Sequence, residues 1–512
     1  MQRGRRAITL SVPRIRLFLR FTVGVLVVSL SITALLLSVT LFLLRGRSSQ
    51  PSRNLRNSAG SEEDGFSCNL HVSNSVRFEP SVVRNLTSKS LIIVRSVLLL
   101  QPGGLYLKTL FLKKCETNIS SMTLQIDFNE ILCPMVRHIE SDKCPWDWAP
   151  GCAWSSFIAT ARLDSIPNHI LASFQLNFNS HAIRLHFEPS HNIENLPFAL
   201  CTQPLYWYVD WLQLIEFIEI WTSQGINHFF FYFYTVSQLV MDVLQYYDAK
   251  GTVTLIPWRS FPVGENENPN KNVYRLAHSL ANNDCLWRSR GASFVAFVDL
   301  DEYILTTSGV PLIAYIERKA ELCPKCGSFT AIHRKMYYSS LRPRNDFRWR
   351  DVGFQWLANI RYGLPEANGP HKQIVRPETV SVISTHSTRK SFPGYIDVNL
   401  NSSEVILLHA SYKWSETSYP PSPNNVTIAP HFFADILPVV NRGYREIGQL
   451  LFKNETVRTE RMLQMKVAKC ISRWRLKKCK SVDVCKAAVA SASEIGWVHA
   501  ESFSTNEEYQ VV

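Results

Sequence analysis

The first 60 residues contain no aspartate or glutamate, although they hold ten arginines. That asymmetry decides how the net charge of +13 is read. Without those ten, 45 basic residues face 42 acidic ones over 61–512, a balance of +3. The body of the chain therefore lacks the basic excess of a nucleic-acid-binding surface. Charged residues are scarce overall, 19% against 46% hydrophobic and 12% aromatic, which excludes a mainly disordered chain. No G-x-S-x-G and no H-E-x-x-H occurs, so the common hydrolase signatures are missing. Cys323-Pro-Lys-Cys326 has no second C-x-x-C to complete a four-cysteine zinc site. It also lacks the preceding Trp and the Gly-Pro spacer of a redox pair, and disulfides are the expectation there. No repeat of fixed period is visible.

Where acid is absent, an uninterrupted apolar run is present. Phe21 to Leu44 is 24 residues without a charge. As a helix at ~1.5 Å per residue it reaches about 36 Å, enough for a hydrocarbon core of roughly 30 Å. A cleavable signal peptide has a shorter apolar region and a small-x-small cleavage site, whereas this run ends in Leu43-Leu44-Arg45. A retained transmembrane anchor at 21–44 is expected, with the basic segment 1–20 in the cytoplasm by the positive-inside rule. Five N-x-S/T sequons, at Asn85, Asn118, Asn401, Asn425 and Asn454, lie beyond the span, as do all twelve cysteines. Glycosylation and disulfides both suit an oxidising lumen. The expectation is a single-pass type II membrane protein of the secretory pathway, placed in the Golgi.

Residues 45–65, rich in Ser, Arg, Asn and Gly, read as a stem. Over 66–199, β-type runs such as Ser90–Leu100 and Ser121–Phe128 fall among Cys115, Cys133, Cys144 and Cys152, which predicts a smaller β-rich, disulfide-stapled region. From 200 the pattern alternates. A helix is predicted over Trp211–Gln224 and closed by Gly225, then a strand over His228–Thr235 and a helix over Leu239–Tyr247. Next come a strand over Thr252–Pro257, a helix over Asn272–Arg290 and a strand over Ala292–Val298. This β-α-β-α-β order predicts an α/β fold, a mostly parallel sheet flanked by helices. The segment 451–512 is a basic, cysteine-containing extension. Its surroundings, 440–490, carry thirteen Lys/Arg against four Asp/Glu, read as a solvated basic face or a docking patch for an acidic partner.

The third strand runs into Asp299-Leu300-Asp301-Glu302, three carboxylates in four positions. They fall at the carboxyl edge of a parallel sheet, where open α/β sheets bind ligands. Like charges so close repel unless one is protonated or a cation lies between them. A hard divalent ion such as Mn²⁺ resolves the conflict and can stabilise a departing nucleotide diphosphate. The plainer reading is an acidic turn whose Asp301 or Glu302 caps the next helix. His386 and His409 each end a β-type run and are candidate further ligands, against the plainer reading of each as a partly buried, hydrogen-bonded histidine. For the base that takes an acceptor proton, Glu366, Asp351 and Asp397 lie in the right later portion and none stands out. Trp258, Tyr303 and Trp356 are candidates for stacking on sugar rings, with plain core packing as the alternative that most aromatics follow.

Several ordered motifs between Cys201 and Tyr303 carry a resemblance. They are Pro204-Leu205-Tyr206, the helical motif Gln213-Leu-Ile-Glu-Phe-Ile-Glu, His228–Tyr234, Val243-Leu-Gln-Tyr-Tyr, Gly251–Trp258, Asn283-Asp284-Cys285 and Phe297–Ile304. His371-Lys-Gln-Ile-Val-Arg-Pro-Glu378 and Leu407-Leu-His409 continue it. Together they resemble glycosyltransferase family 92 over roughly 200–450. The resemblance implies a GT-A-like fold, a catalytic domain at 200–450, a UDP-sugar donor, UDP-galactose in the first instance, a divalent metal, and inverting transfer onto a glycan acceptor of a glycoprotein or glycolipid. It implies that Asp299 and Asp301 form the family's D-x-D, with Asp301 meeting the metal and Asp299 the ribose or metal shell. His409 is the candidate third ligand. Where the family has Tyr-Arg after that histidine, this chain has Ala410-Ser411. That departure keeps a second reading open, an inactive glycan-binding or scaffold protein with the same fold.

Overall fold

The computed structural model of the chain describes residues 86–512 apart from 88–89, 118, 128–129, 177–178, 190–195, 413–425, 430–431, 473–478, 487–488, 490–493 and 505–508. The expected tail, anchor and stem lie outside the described residues, as do Asn85, Asn118 and Asn425, while Asn401 and Asn454 are exposed. No helix among the described residues is long and apolar enough to cross a membrane.

The strand His228–Phe233 reads HFFFYF and is buried along its whole length. Alternation decides where those rings go. Phe229, Phe231 and Phe233 join one core with the helices Trp211–Ser223 and Gln238–Ala249. Phe230 and Tyr232 join a second core with the helix His278–Arg288 and with Val97, Leu99 and Leu110 of the N-terminal strands. A strand covered on both faces belongs inside a parallel sheet. The sheet has seven strands in the order Val253–Pro257, His228–Phe233, Leu196–Cys201, Ala292–Phe297, Lys372–Val375, Cys326–Ala331, Ile396–Asn399. The first four run parallel. Lys372–Val375 is antiparallel to both its neighbours, and the last pair is parallel again.

Local chemistry explains the helix ends. Asp210 caps Trp211–Ser223 by accepting from the Gln213 amide at 3.0 Å, and Ser237 caps Gln238–Ala249. Gly225 closes the first helix at φ +98°, where a Cβ would also stand 2.3 Å from Ile313. The expected helix over Asn272–Arg290 is corrected: only Pro269–Asn272 and His278–Arg288 are α-helical. Between them Arg275, Leu276 and Ala277 are all left-handed, with φ of 42°, 55° and 55°. Such residues cost ~1–2 kcal/mol each, so tertiary contacts must hold the turn. Trp258 donates from Nε1 to the Leu276 carbonyl at 2.9 Å, and the Arg275 amide donates to the Lys480 carbonyl at 3.0 Å.

A second sheet orders Glu302–Thr306, Val405–His409, His333–Tyr337, Ile360–Gly363 and Val426–Ala429. Asp299-Leu300-Asp301 therefore leads into a strand, so no carboxylate of this run caps a helix. The described residues from 86 to 189 are built mainly of strands. The strands Ile92–Gln101, Gly104–Lys114, Trp154–Leu163 and Met135–His138 form one sheet, and Glu130–Leu132, Ile119–Ile126, Ile170–Leu176 and Asn179–Arg184 form another. Phe111, Phe157, Leu124 and Ile170 share a core there.

Disulfides among the described residues are Cys115–Cys144, Cys152–Cys479, Cys201–Cys285, Cys323–Cys326 and Cys470–Cys485. The C-x-x-C is thus a bridge of its own. Cys201–Cys285 ties the end of a central strand to the helix beneath it. Replacing both cysteines with alanine is expected to lower stability by ~2–4 kcal/mol, read as a lower denaturant midpoint with an unchanged slope.

Candidate active site

The Ala292–Phe297 strand delivers the chain to the carboxyl edge of the central sheet, and Val298–Asp301 carries it into the second sheet. There Glu302 stands opposite His409 in the ladder, and Lys335 stands on His409's other side. One short crossover between two sheets is what gathers the carboxylates and the imidazole.

Lys372 enters from the neighbouring antiparallel strand and is buried. Its Nζ lies 3.1 Å from Asp299 Oδ2 and 3.1 Å from Glu302 Oε2, while the Asp299 amide donates to Glu302 Oε2 at 2.8 Å. The like-charge conflict is therefore relieved in part by a lysine. Burial works to raise the Asp299 carboxyl, but Lys372 and Arg275 outweigh it and hold it well below the usual carboxylate range. In Glu302 burial prevails over the pull of Lys372, aided by Asp299, and its pKa rises to about 7.

His409 sits between acids and a second histidine. Its Nε2 is 3.3 Å from Asp301 Oδ2, and its Nδ1 is 3.0 Å from His333 Nε2. His333 Nδ1 approaches Glu366 Oε2 at 3.0 Å, and Glu366 also receives Lys335 Nζ at 2.5 Å. Burial opposes charge on His409, yet Asp301 beside it lifts its pKa to about 9. Burial first and then the His409 charge push His333 down to about 4. A neutral His333 with its proton on Nδ1 therefore accepts from His409 at Nε2. The row Glu366–His333–His409–Asp301 fixes the orientation of the His409 ring.

A cavity of about 380 Å³ opens over this floor. Asp299, Asp301, Glu302, His386 and His409 line it together with Tyr206, Tyr208, Arg275 and Trp148. Gln464, Ala468, Ile471 and Lys480 supply a wall from the C-terminal part of the chain. His386 faces Trp148 with ring centroids 6.3 Å apart, and burial, then Lys372, push its pKa to about 3, so it is neutral.

The structure thus brings Asp299, Asp301, His386 and His409 to one cavity. It does not bring the other candidates there. Glu366 reaches the site only through His333. Asp351 is exposed beside Arg348, and Asp397 sits exposed on an edge strand, accepting from Thr330 at 3.4 Å. Trp258, Tyr303 and Trp356 are core residues, with their polar atoms turned inward to Leu276, Glu216 and Glu216. They offer no ring face to a sugar. Lys372, His333, Arg275 and Lys480 escaped sequence reasoning. A lysine opening the apolar strand Lys372–Val375 was the one usable signal, since a buried strand rarely takes a charge without a partner.

Among the described residues no three His, Cys, Asp or Glu side chains stand close enough to hold a metal ion as they are. The donor chemistry nonetheless fits one. Asp299 Oδ1 is buried without a hydrogen-bond partner, and two carboxylates with one imidazole suit a divalent ion such as Mn²⁺.

Residues 197–437 match the family model described as glycosyltransferase family 92. A glycosyltransferase family 92 protein of Caenorhabditis elegans is 27% identical over 245 residues, covering 47% of this chain and 46% of that protein. The chain therefore spans about half the length of that curated relative. Among solved structures, amylomaltase from Corynebacterium glutamicum aligns at 11% identity with a TM-score of 0.13, over 24% of this chain and 19% of that one. So slight a likeness carries no argument about fold.

Proposed function

The chain belongs to glycosyltransferase family 92 through residues 197–437, and on that premise we propose that it is a metal-dependent inverting glycosyltransferase. It moves a hexose, galactose from UDP-galactose, onto a glycan of a glycoprotein or glycolipid. The segment 21–44 anchors it as a type II protein in the Golgi membrane. The central sheet, parallel over four strands, would serve as a GT-A-like platform. The observation that carries the reading is the meeting of Asp299, Asp301 and His409 in one cavity at the carboxyl edge of those strands.

Asp301 and His409 Nε2 would hold the cation, with Asp299 in its shell or on the ribose. When bound, such an ion neutralises charge that builds on a departing diphosphate. The chain's own residues do the rest. Lys372 keeps Asp299 ionised, and His333 keeps His409 Nε2 turned toward Asp301. Tyr206 and Tyr208 shape the wall beside them.

The test is a calorimetric titration of the full-length protein with UDP-galactose, with and without Mn²⁺. Metal-dependent binding is expected. A folded protein that binds neither UDP-galactose nor UDP would sink the transferase reading. It would favour an inactive glycan-binding protein, the reading that Ala410-Ser411 supports. Because His333 orients His409, His333→Ala is expected to weaken Mn²⁺ binding about 10- to 100-fold, measured by the same calorimetry with Mn²⁺ alone.

A further inference from the structure

The cavity has an acidic floor and a basic wall, and the wall comes from segments far apart in the chain. Arg275 belongs to the left-handed turn before the His278–Arg288 helix. Lys480 lies in the C-terminal segment beyond residues 197–437. Both line the same cavity as Asp299 and Asp301. The two are joined through the backbone, the Arg275 amide donating to the Lys480 carbonyl at 3.0 Å, and Lys480 comes directly after Cys479, which is bonded to Cys152.

Arg275 is partly buried and makes no ion pair with a carboxylate among the described residues. Its Nε is buried without a hydrogen-bond partner, and its guanidinium lies over the Tyr274 ring at 5.5 Å. Burial and the Arg275 charge both act against a proton on Lys480. The Arg275 charge is supported across the cavity by Asp299 and Asp301, and with Lys480 on the same wall it presents two positive groups to an anion entering over the acidic floor. Three consecutive non-glycine residues in left-handed conformation hold one of them in place, and such strain concentrates at functional sites. At the positions after His409, Ala410 is buried and Ser411 is short, so neither of these two supplies a cation.

We propose that Arg275 and Lys480 form the diphosphate-binding wall of this cavity, supplying from the turn and the C-terminal segment the positive charge that Ala410-Ser411 lacks. This rests on the reading of the cavity as a nucleotide-sugar site. A planar guanidinium suits paired phosphate oxygens, and the flexible ammonium adds a second donor.

The experiment titrates full-length protein with UDP, uridine, inorganic pyrophosphate and sulfate, for the parent chain and for Arg275→Gln, Lys480→Gln and Arg275→Lys. A hydrogen bond to a charged group lost at each Gln variant is expected to weaken UDP and pyrophosphate about 10- to 100-fold. Uridine affinity should stay unchanged, and Arg275→Lys should recover part of the loss. Lys480→Gln leaves the backbone link to Arg275 intact, so it tests the proposal even if Arg275→Gln does not fold. UDP binding to the Gln variants as tight as to the parent would overturn the proposal while leaving the transferase reading in place. So would a parallel fall in uridine affinity, or sulfate binding as tightly as pyrophosphate. A parent that binds pyrophosphate through these residues but no nucleotide supports the cationic wall and removes the donor reading. A parent that binds neither overturns both.

Discussion

Asp301→Ala is expected to reduce Mn²⁺-dependent binding of UDP-galactose by at least about 100-fold, with the fold intact. A cation contributes several kcal/mol to holding a diphosphate, at about 1.4 kcal/mol per tenfold. The side chain can be removed cleanly because the structural role at 301 lies in the backbone, whose carbonyl accepts from the Ala410 amide at 2.7 Å. The substitution has a second signature. Asp301 is the main group raising the pKa of His409 above its ordinary value, so without it His409 should titrate lower. Asp301→Asn, which keeps the shape and removes the charge, should behave like the alanine variant. Nuclear magnetic resonance of the imidazole and calorimetry would track the two effects separately. Retained metal-dependent binding in both variants would remove Asp301 from the ligand set.

Asp210→Ala should be the most destabilising single change near the cavity, by ~3–5 kcal/mol, because it strands buried cations. Asp210 caps the helix Trp211–Ser223, and it accepts from Arg461 at 2.8 Å, Arg342 at 3.4 Å and Tyr412 at 2.7 Å. Arg342 also lies 3.7 Å from Glu216, and Arg342, Asp210 and Glu216 are essentially inaccessible to solvent. Arg342 Nη1 already lacks a hydrogen-bond partner, and loss of Asp210 leaves Glu216 as the one carboxylate within 4 Å of this arginine among the described residues. Burial works to raise the Asp210 carboxyl, yet the two arginines win and its pKa falls below the ordinary ~3.9. A folded pKa below the unfolded one means that this stabilisation is complete above about pH 4 and is lost as the pH falls through the folded pKa. The Asp210→Ala protein should therefore show a flatter loss of stability on acidification. Denaturant midpoints at pH 7 and below pH 4 would check this, and equal acid sensitivity in parent and variant would refute it.

The features that read well from sequence were those carried by periodicity and by neighbours in the chain. The HFFFYF strand, the helices on either side of it and the carboxylate run after the third strand needed only local pattern. His409 was found because it ends a strand. Lys372, His333 and Arg275 were not legible, since each acquires its role from partners distant in the chain. The helix expected over Asn272–Arg290 failed for the same reason. Nothing local marks Arg275-Leu276-Ala277 as left-handed, and the contacts that enforce it come from Trp258 and Lys480. The aromatic candidates failed in the opposite sense: Trp258, Tyr303 and Trp356 looked available because burial cannot be read from residue type alone.

The Cys152–Cys479 bridge, with 327 residues between its ends, also sets an order of events during biosynthesis. At ~5–20 residues per second, roughly 15–65 s separate the emergence of the two thiols. Throughout that interval Cys152 waits without its partner, and the C-terminal wall of the cavity does not yet exist. Oxidation of this pair must await release of almost the whole chain. A nascent or prematurely terminated polypeptide, even one containing all of 197–437, therefore carries the acidic floor without the lysine beside Cys479. Any chain that stops short of Cys479 leaves Cys152 without its bonded partner and the cavity without Lys480.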